Sequence, residues 1–573
     1  MRAWVLAVGA LVAPSLAQGD LDDVLRWGTY RPNLYFGTRP RVPQSLLSGL
    51  MWFGLDDQQN WQRIRHACEV GDNLSEYGYV RHNGRDFGEQ TMRDEAHGVE
   101  IRSTFVKPAG HGSWAVRFTG RTLADNAQGV SLAYYFGLEG NGTMSMAVAD
   151  GAVRISGRTP ELGRFKIRIV PAASNQSPPL PPGVAADASP AKRIAGVAVA
   201  VPGESVWKAR DVFQERIISH AQARARDIMR HSGGKGAANG RVLFALDSDG
   251  ARRKGRNLVF AQMLVHGEFA FDVIYDDLSA AAPIDVAAID DAAAAHRAAF
   301  DARFDAVFAL RGKGYGDAEI AIARRALSSL IGGIGYFYGR GLVAAGPMPG
   351  PGDDANVPPA ELSAPYALFA TTPSRPFFPR GFLWDEGFHQ LLLARWDADL
   401  SLDIVRSWFS TMDASGWIAR EQILGDEARS KVPAEFQVQY PNFANPPTLL
   451  FAVRALAERT AANELSGLAE QLEQVYCERD VPDPATSQTL TLPRIAELHR
   501  FSSRLLDYFM ATQAGARGRG YRWRGRTEGH TLTSGLDDYP RARPPSSGEL
   551  HVDLFAWVTY MLAVDTELAA HDS

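Results

Sequence analysis

The spacing of apolar residues changes period near residue 280, and that change most constrains how this chain can fold. From about Gly28 to Ile274 the pattern is strand-like. Val99–Val106, Ser113–Phe118 and Val130–Phe136 alternate or are rich in β-branched and aromatic residues, with Gly, Asn and Asp clusters between them. Runs of this kind suggest an antiparallel sandwich. Val206–His231 is an exception, with helical spacing and no internal Gly or Pro, so one helix is expected among the strands. Pro171–Pro190, rich in Pro, Ser and Ala, reads as an exposed loop. From about Ile284 the spacing becomes helical. Asp290–Arg311, Asp317–Leu330, Leu400–Met412, Thr448–Leu456, Ala462–Val475 and Pro493–Thr512 suit amphipathic helices, joined by Gly- and Pro-rich loops such as Ala345–Pro359. At 573 residues the chain is too long for one hydrophobic core. The expectation is a β domain over 25–280 followed by an α domain over 285–573 with about eight or nine helices.

The N-terminus reads as a signal peptide over residues 1–17. Arg2 supplies a minimal positive charge, Trp4–Ala13 is almost unbrokenly apolar, and Pro14-Ser15-Leu16-Ala17 has small residues where a signal peptidase cuts. The apolar run is about ten residues, short of the about 20 a membrane span needs; it is either cleaved or kept as a short anchor. Sequons at Asn73, Asn141 and Asn175 fit passage through the secretory lumen. The C-terminal Ala-His-Asp-Ser573 is not a Lys-Asp-Glu-Leu retention signal. Two cysteines, Cys68 and Cys477, exclude a disulfide framework and a cysteine-built zinc site; two separate buried thiols are expected. The net charge of −5 gives no electrostatic reason for a nucleic-acid or anionic-membrane partner.

Three segments could carry chemistry. The first, Ser374–His389, sets Asp385 and Glu386 among aromatic residues and between Pro and Gly breakers. A carboxyl crowded by aromatic surface is desolvated, which raises its pKa and lets it act as a proton donor. Aromatic rings also stack on the C–H faces of sugars. The bland alternative is a helix N-terminus with acids near the dipole and Phe377, Phe378 and Phe382 in the core. The second, Gly416–Arg429, gathers Trp417, Arg420, Glu421, Gln422, Asp426 and Glu427 as a polar binding loop or a salt-bridged turn. The third runs from Tyr521–Arg526 to Ser534–Pro540 and offers Trp523, Asp537, Asp538 and Tyr539. Glu549–Asp553 then leads into a last helix, which Ser546 or Ser547 could cap. No Gly-x-Ser-x-Gly elbow, P-loop or His-Glu-x-x-His motif is present. His389 reads as a satisfied histidine sooner than a metal ligand. Carboxylates, Trp and Arg without a cofactor motif favour a carbohydrate site.

Trp27–Gly37, Ser48–Trp52, Gly332–Gly339 and Phe377–His389 carry a specific resemblance, continued in order by Gly416–Arg429, Asn445–Thr448, Tyr521–Arg526 and Ser534–Arg541. The chain resembles glycoside hydrolase family 63, the processing α-glucosidases of N-glycan maturation. The resemblance implies a β-sandwich packed on an (α/α)6 helical toroid. It implies removal, with inversion and without cofactor or metal, of the terminal α-1,2-linked glucose from the triglucosylated N-glycan on nascent glycoproteins in the endoplasmic reticulum lumen. Carried over by position, Asp385 is the general acid, and Phe382, Trp384, Glu386, Trp417, Arg420, Glu421, Trp523, Asp537 and Asp538 line the substrate pocket. Two departures stand out: Leu550 occupies a position where the family has Arg, and the family's general-base glutamate lies in a stretch beyond Ser573. The resemblance therefore implies an incomplete toroid and no identified base in this chain, although inversion needs one about 6.5–9.5 Å from the acid. Glu386 should diverge from its neighbour Asp385, leaving Glu421, Asp537 and Asp538 as formal candidates. Two other readings stay open: an inactive binder of glucosylated glycans, and a related (α/α)6 hydrolase with another α-glucoside substrate.

Overall fold

A computed structural model of the chain describes residues 25–57, 59–107, 112–123, 128–180, 194–232, 239–249, 255–279, 283–350, 356–461 and 494–572. The leader, residues 181–190 of the expected loop, Cys477 and the expected helix Ala462–Val475 lie outside them. The first half is β-rich and antiparallel. One sheet has eight strands, namely β2 (Glu76–His82), β3 (Phe87–Asp94), β4 (Val99–Val106), β5 (Trp114–Thr122), β12 (Glu268–Asp277), β9 (Gly163–Pro171), β8 (Ala152–Thr159) and β7 (Thr143–Ala149), in that spatial order. The other has β10 (Ala195–Val199), β11 (Leu258–Val265), β6 (Val130–Leu138) and β1 (Leu46–Gly54).

Side-chain alternation sets the register. Val153 pairs with Ile169 and Ile155 with Ile167, all buried, while Arg154 and Arg168 lie opposite each other on the other face. Trp52, Leu132, Tyr134 and Phe136 of the small sheet share a core with Trp114, Phe118, Ile167 and Val273 of the large one. The small sheet's second face carries Leu47, Met51, Tyr135 and Phe260 and is covered by Val206, Phe213 and Ile217. The latter two lie on α1 (Ala209–Ser232), the helix expected among the strands. Double-sided burial explains why β1 and β6 read as continuous apolar runs: every residue in both is buried. Cys68 is buried, which pushes its thiol up to about 11.

The second half is helical, with α2 (Ala288–Phe308), α3 (Asp317–Ile331), α4 (Leu383–Trp396), α5 (Ala398–Phe409), α6 (Leu449–Ala461), α7 (Arg494–Thr512) and α8 (Val552–Asp572). Among the described residues α4 packs on α5 and α6, and α7 on α8. The last helix starts at Val552, and the carbonyl of His551 accepts from Phe555 N (3.1 Å). Ser546 instead forms a preceding turn, its carbonyl accepting from Glu549 N (3.3 Å), so the expected serine cap is corrected. Phe388, Leu391 and Leu392 on α4 and Phe555 and Leu562 on α8 are exposed. No described helix is long and apolar enough to cross a membrane.

The two halves share a core in which Tyr30, Phe87, Val106, Ala115 and Ile274 meet Ile289, Phe300, Leu327 and Phe369. Arginines of the β half pin this junction to carboxylates of the helical half. Arg85 grips Asp397 through two bonds (2.6 and 2.8 Å), Arg81 does the same to Asp301 (3.1 and 3.0 Å), and Arg41 meets Asp403.

Candidate active site

The site grows out of the turn that opens α4. Arg375 anchors this turn to the β half, donating to the carbonyls of Pro32 (3.0 Å), Leu34 (2.7 Å) and Tyr35 (3.0 Å) and to Gln90 Oε1 (2.9 Å). The chain then forms a two-residue strand, Gly381–Phe382, antiparallel to Glu421–Gln422. That pairing sets the first and second candidate segments side by side, and Leu383 N donates to Arg420 O (2.9 Å). A helix N-terminus leaves backbone donors unpaired. Here Asn445 supplies the missing acceptor from outside the helix, its Oδ1 taking Trp384 N (3.1 Å) while its Nδ2 donates to Thr533 O (2.9 Å). Gly387 lets the Thr448 backbone press onto the same turn: an added Cβ would sit 2.1 Å from Thr448 C.

Asn445 thereby ties α4 to the third segment. Gly535, at φ +72°, turns the chain so closely over Trp384 that an added Cβ would lie 3.1 Å from the indole. Ser534 Oγ accepts from Leu536 N (3.1 Å) and Thr531 N donates to Asp537 O (3.1 Å), which shapes the loop holding Asp537 and Asp538. The fold thus gathers Phe382, Trp384, Asp385, Arg420, Asp537 and Asp538 from three separated segments.

Asp385 sits in the first turn of α4, partly buried. Burial pushes its carboxyl up to about 6; Arg420 opposes this and the negative charge of Asp537 adds to it. Asp537 is an exposed residue whose carboxyl is also raised, first by partial desolvation, against the pull of Arg420 and with the push of Asp538. Two carboxyls with raised pKa thus share the influence of one guanidinium, a pattern that clusters where proton transfer occurs. Arg420 lies over the Phe382 ring (6.0 Å) and is backed by Glu421 Oε2 (3.5 Å). Glu421 is itself held by Arg380.

Four residues expected to line the pocket are instead buried. Glu386 is 0% exposed. Its Oε2 accepts from Thr371 N (2.9 Å) and Trp408 Nε1 (2.9 Å), and its Oε1 from Gln390 Nε2 (2.5 Å). Successive residues on a helix project about 100° apart, so with Asp385 toward the loops Glu386 points into the core. Trp523 is also fully buried, with Nε1 on Asp553 Oδ2 (2.9 Å) and its backbone N on His551 Nδ1 (2.9 Å). Trp417 gives its Nε1 to Phe443 O (3.2 Å), and Glu421 is enclosed by Arg380. These four support the site rather than face it. Phe377 and Phe378 depart from the core placement in the bland alternative, being 61% and 45% exposed. Leu550 is exposed, its methyls against Gly515 and Gly520. Burial holds the His389 imidazole down to about 4, so it is neutral at pH 7.

Residue pattern alone does not mark Asn445 and Gly535 as site-forming. Their one signal is their place inside the motifs Asn445–Thr448 and Ser534–Arg541.

Two family models match the chain, and the three site segments all fall within one of them. The glycosyl hydrolase family 63 C-terminal domain matches residues 284–571, and the N-terminal domain of that family matches residues 24–234. This chain belongs to glycoside hydrolase family 63. It is 35% identical to a probable mannosyl-oligosaccharide glucosidase of Schizosaccharomyces pombe, over 94% of this chain and 70% of that protein. It is 33% identical to mannosyl-oligosaccharide glucosidases of Saccharomyces cerevisiae, over 94% and 70%, and of Arabidopsis thaliana, over 95% and 60%. The family 63 chain described here therefore spans 60 to 70% of the length of these relatives. As a family 63 member it is a glycoside hydrolase.

Proposed function

We propose that this hydrolase removes the terminal α-1,2-linked glucose from the triglucosylated N-glycan of nascent glycoproteins, with inversion, in the endoplasmic reticulum lumen. The observation that carries the chemistry is Asp385, a carboxyl held up to about 6 by burial at a helix N-terminus, beside Arg420 and Asp537. A carboxyl of that kind keeps a proton for the leaving glycosidic oxygen near neutral pH. Asp537 is the second carboxyl, Arg420 holds the negative charge of the pair, and Trp384 and Phe382 offer ring faces to the sugar. The names of the three relatives support the substrate class. The helical half is read as an (α/α)6-type domain, divided from the β half near residues 281–284.

The test is glucose release from the triglucosylated oligosaccharide by wild type and Asp385→Asn, with NMR of the nascent anomer. Loss of a proton donor costs about 10²–10⁴ in rate. Wild-type-like release by Asp385→Asn would remove the assignment, and first-formed α-glucose would remove inversion.

A further inference from the structure

A second region of the molecule, apart from the residues around Asp385, encloses a cavity. It lies at the junction of the two halves, is about 660 Å³, and is walled by β-half loops, by the turn Gly203–Lys208 before α1, and by segments 336–340, 375–380 and 424–431 of the helical half. Small-molecule sites typically measure about 300–1,000 Å³.

Three enclosed N–H groups on residues of its wall, just behind the cavity surface, lack a hydrogen-bond partner among the described residues: Arg39 Nε, Trp207 Nε1 and Arg380 Nη1. Arg380 is 5% exposed, so a donor unpaired there is costly unless something else accepts from it. No unpaired buried acceptor shares this wall among the described residues. The unpaired groups in this wall are thus donors that a small side-chain shift would turn to the cavity, and they stand beside aromatic residues Trp207, Tyr336 and Tyr338. Arg39 already lies 5.2 Å over the Tyr336 ring.

The cations of this wall are largely matched. Arg31 meets Glu427 (3.1 Å), Arg39 meets Glu139 (3.5 Å), Lys431 meets Glu69 (3.2 Å), and Arg429 pairs with Asp426. Among the described residues of this wall, Lys208, Arg340 and Arg375 have no carboxylate partner, and Arg375 and Arg340 donate to backbone carbonyls instead, which leaves an anion little to grip. A neutral polyol, with hydroxyl oxygens to accept and C–H faces to stack, suits what is left. We propose that the junction cavity is a second carbohydrate site, taking a short neutral oligosaccharide separately from the Asp385 cleft. The inference does not depend on which glycan the Asp385 cleft cleaves.

The test is calorimetric titration of the Asp385→Asn protein, which prevents turnover, with maltotriose and with mannotriose. Titrations are repeated with the Asp385 cleft filled by a glucose-configured iminosugar. Saturable binding of a trisaccharide that survives the iminosugar is expected. Trp207→Phe keeps the ring but removes the donor and should weaken that binding about fivefold, the factor for one neutral hydrogen bond. Trp207→Ala also removes the stacking face and should weaken it further; circular dichroism checks that it folds. The proposal is overturned if neither trisaccharide binds, if the iminosugar abolishes binding, if both Trp207 variants bind like the parent, or if inorganic phosphate binds in their place. Failure of the iminosugar itself to bind would count against the reading of the Asp385 cleft, and the Trp207 variants then decide which site the trisaccharide occupies: binding unchanged in both overturns the proposal.

Discussion

Glu386→Gln isolates the consequence of burying a carboxyl next to the candidate proton donor. Glu386 has no solvent exposure and three neutral donors, and burial raises it from 4.5 to about 7 despite the hydrogen bonds from Trp408, Gln390 and Thr371. Its folded-state pKa therefore lies above its unfolded value. Between pH 4.5 and 7 the folded chain keeps a proton that the unfolded chain has released. Stability is fully present below pH 4.5 and falls as pH rises to about 7, by about 1.4 kcal/mol per pH unit, or about 3 kcal/mol in all. Above that it levels off. A glutamine has nearly the same shape and cannot ionise. Its oxygen can take the bonds from Thr371 and Trp408, and Gln390 can turn its amide to meet the new NH2 group. Near pH 4.5 the variant should match wild type within about 1 kcal/mol, and at pH 8 it should be the more stable by about 2–3 kcal/mol. Urea titrations followed by tryptophan fluorescence at half-unit pH steps measure the difference. A wild-type-minus-variant curve that stays flat from pH 4.5 to 7 would refute the burial argument, as would a variant that is less stable at pH 8. The same protein should keep hydrolysis within about tenfold, whereas Asp385→Asn one residue away should lose about 10²–10⁴.

Asp537→Asn removes a negative charge that raises Asp385. The donor must be protonated, so activity falls as pH rises through its pKa; in the variant that limb of the kcat/KM profile should move to lower pH, and an unmoved or raised limb would uncouple the two residues. Gly387→Ala drives a Cβ into the Thr448 backbone, and overpacking of this kind costs about 1–3 kcal/mol; a thermal midpoint equal to wild type would show that the turn has slack. Of the three sequons, Asn73 and Asn141 are exposed, while Asn175 donates to Ala270 O (2.8 Å) and accepts from Ala270 N (2.9 Å). Peptide mapping of protein made through a eukaryotic secretory pathway should find glycan at the first two and none at Asn175; an occupied Asn175 in folded protein would contradict the pairing.

The division into a β half and a helical half is legible in the amino-acid pattern, because alternation of period two and helical spacing are local consequences of where side chains point. The pattern marks Val99–Val106 to the residue, and Asp317–Leu330 nearly so. The helix Leu383–Trp396 is less legible. It is apolar around most of its circumference, and its first turn is capped by Asn445, 61 residues downstream of Trp384, so neither stripe nor local cap announces it. The motifs identify which residue types serve the site. They do not say which of two adjacent carboxyls faces it, nor that Trp417, Glu421 and Trp523 stand behind it.

Residue identity by itself determined the periodicities, the carboxylate-and-aromatic segments and their family. Only the tertiary structure decided that the charges of Arg420 and Asp537 act on Asp385, that Glu386 turns inward onto Trp408, and that a cavity opens where the halves join. The reason is physical. Local sequence sets the direction of each side chain along its own element, whereas burial and the neighbouring charges that shift a carboxyl's pKa come from segments far away in the chain.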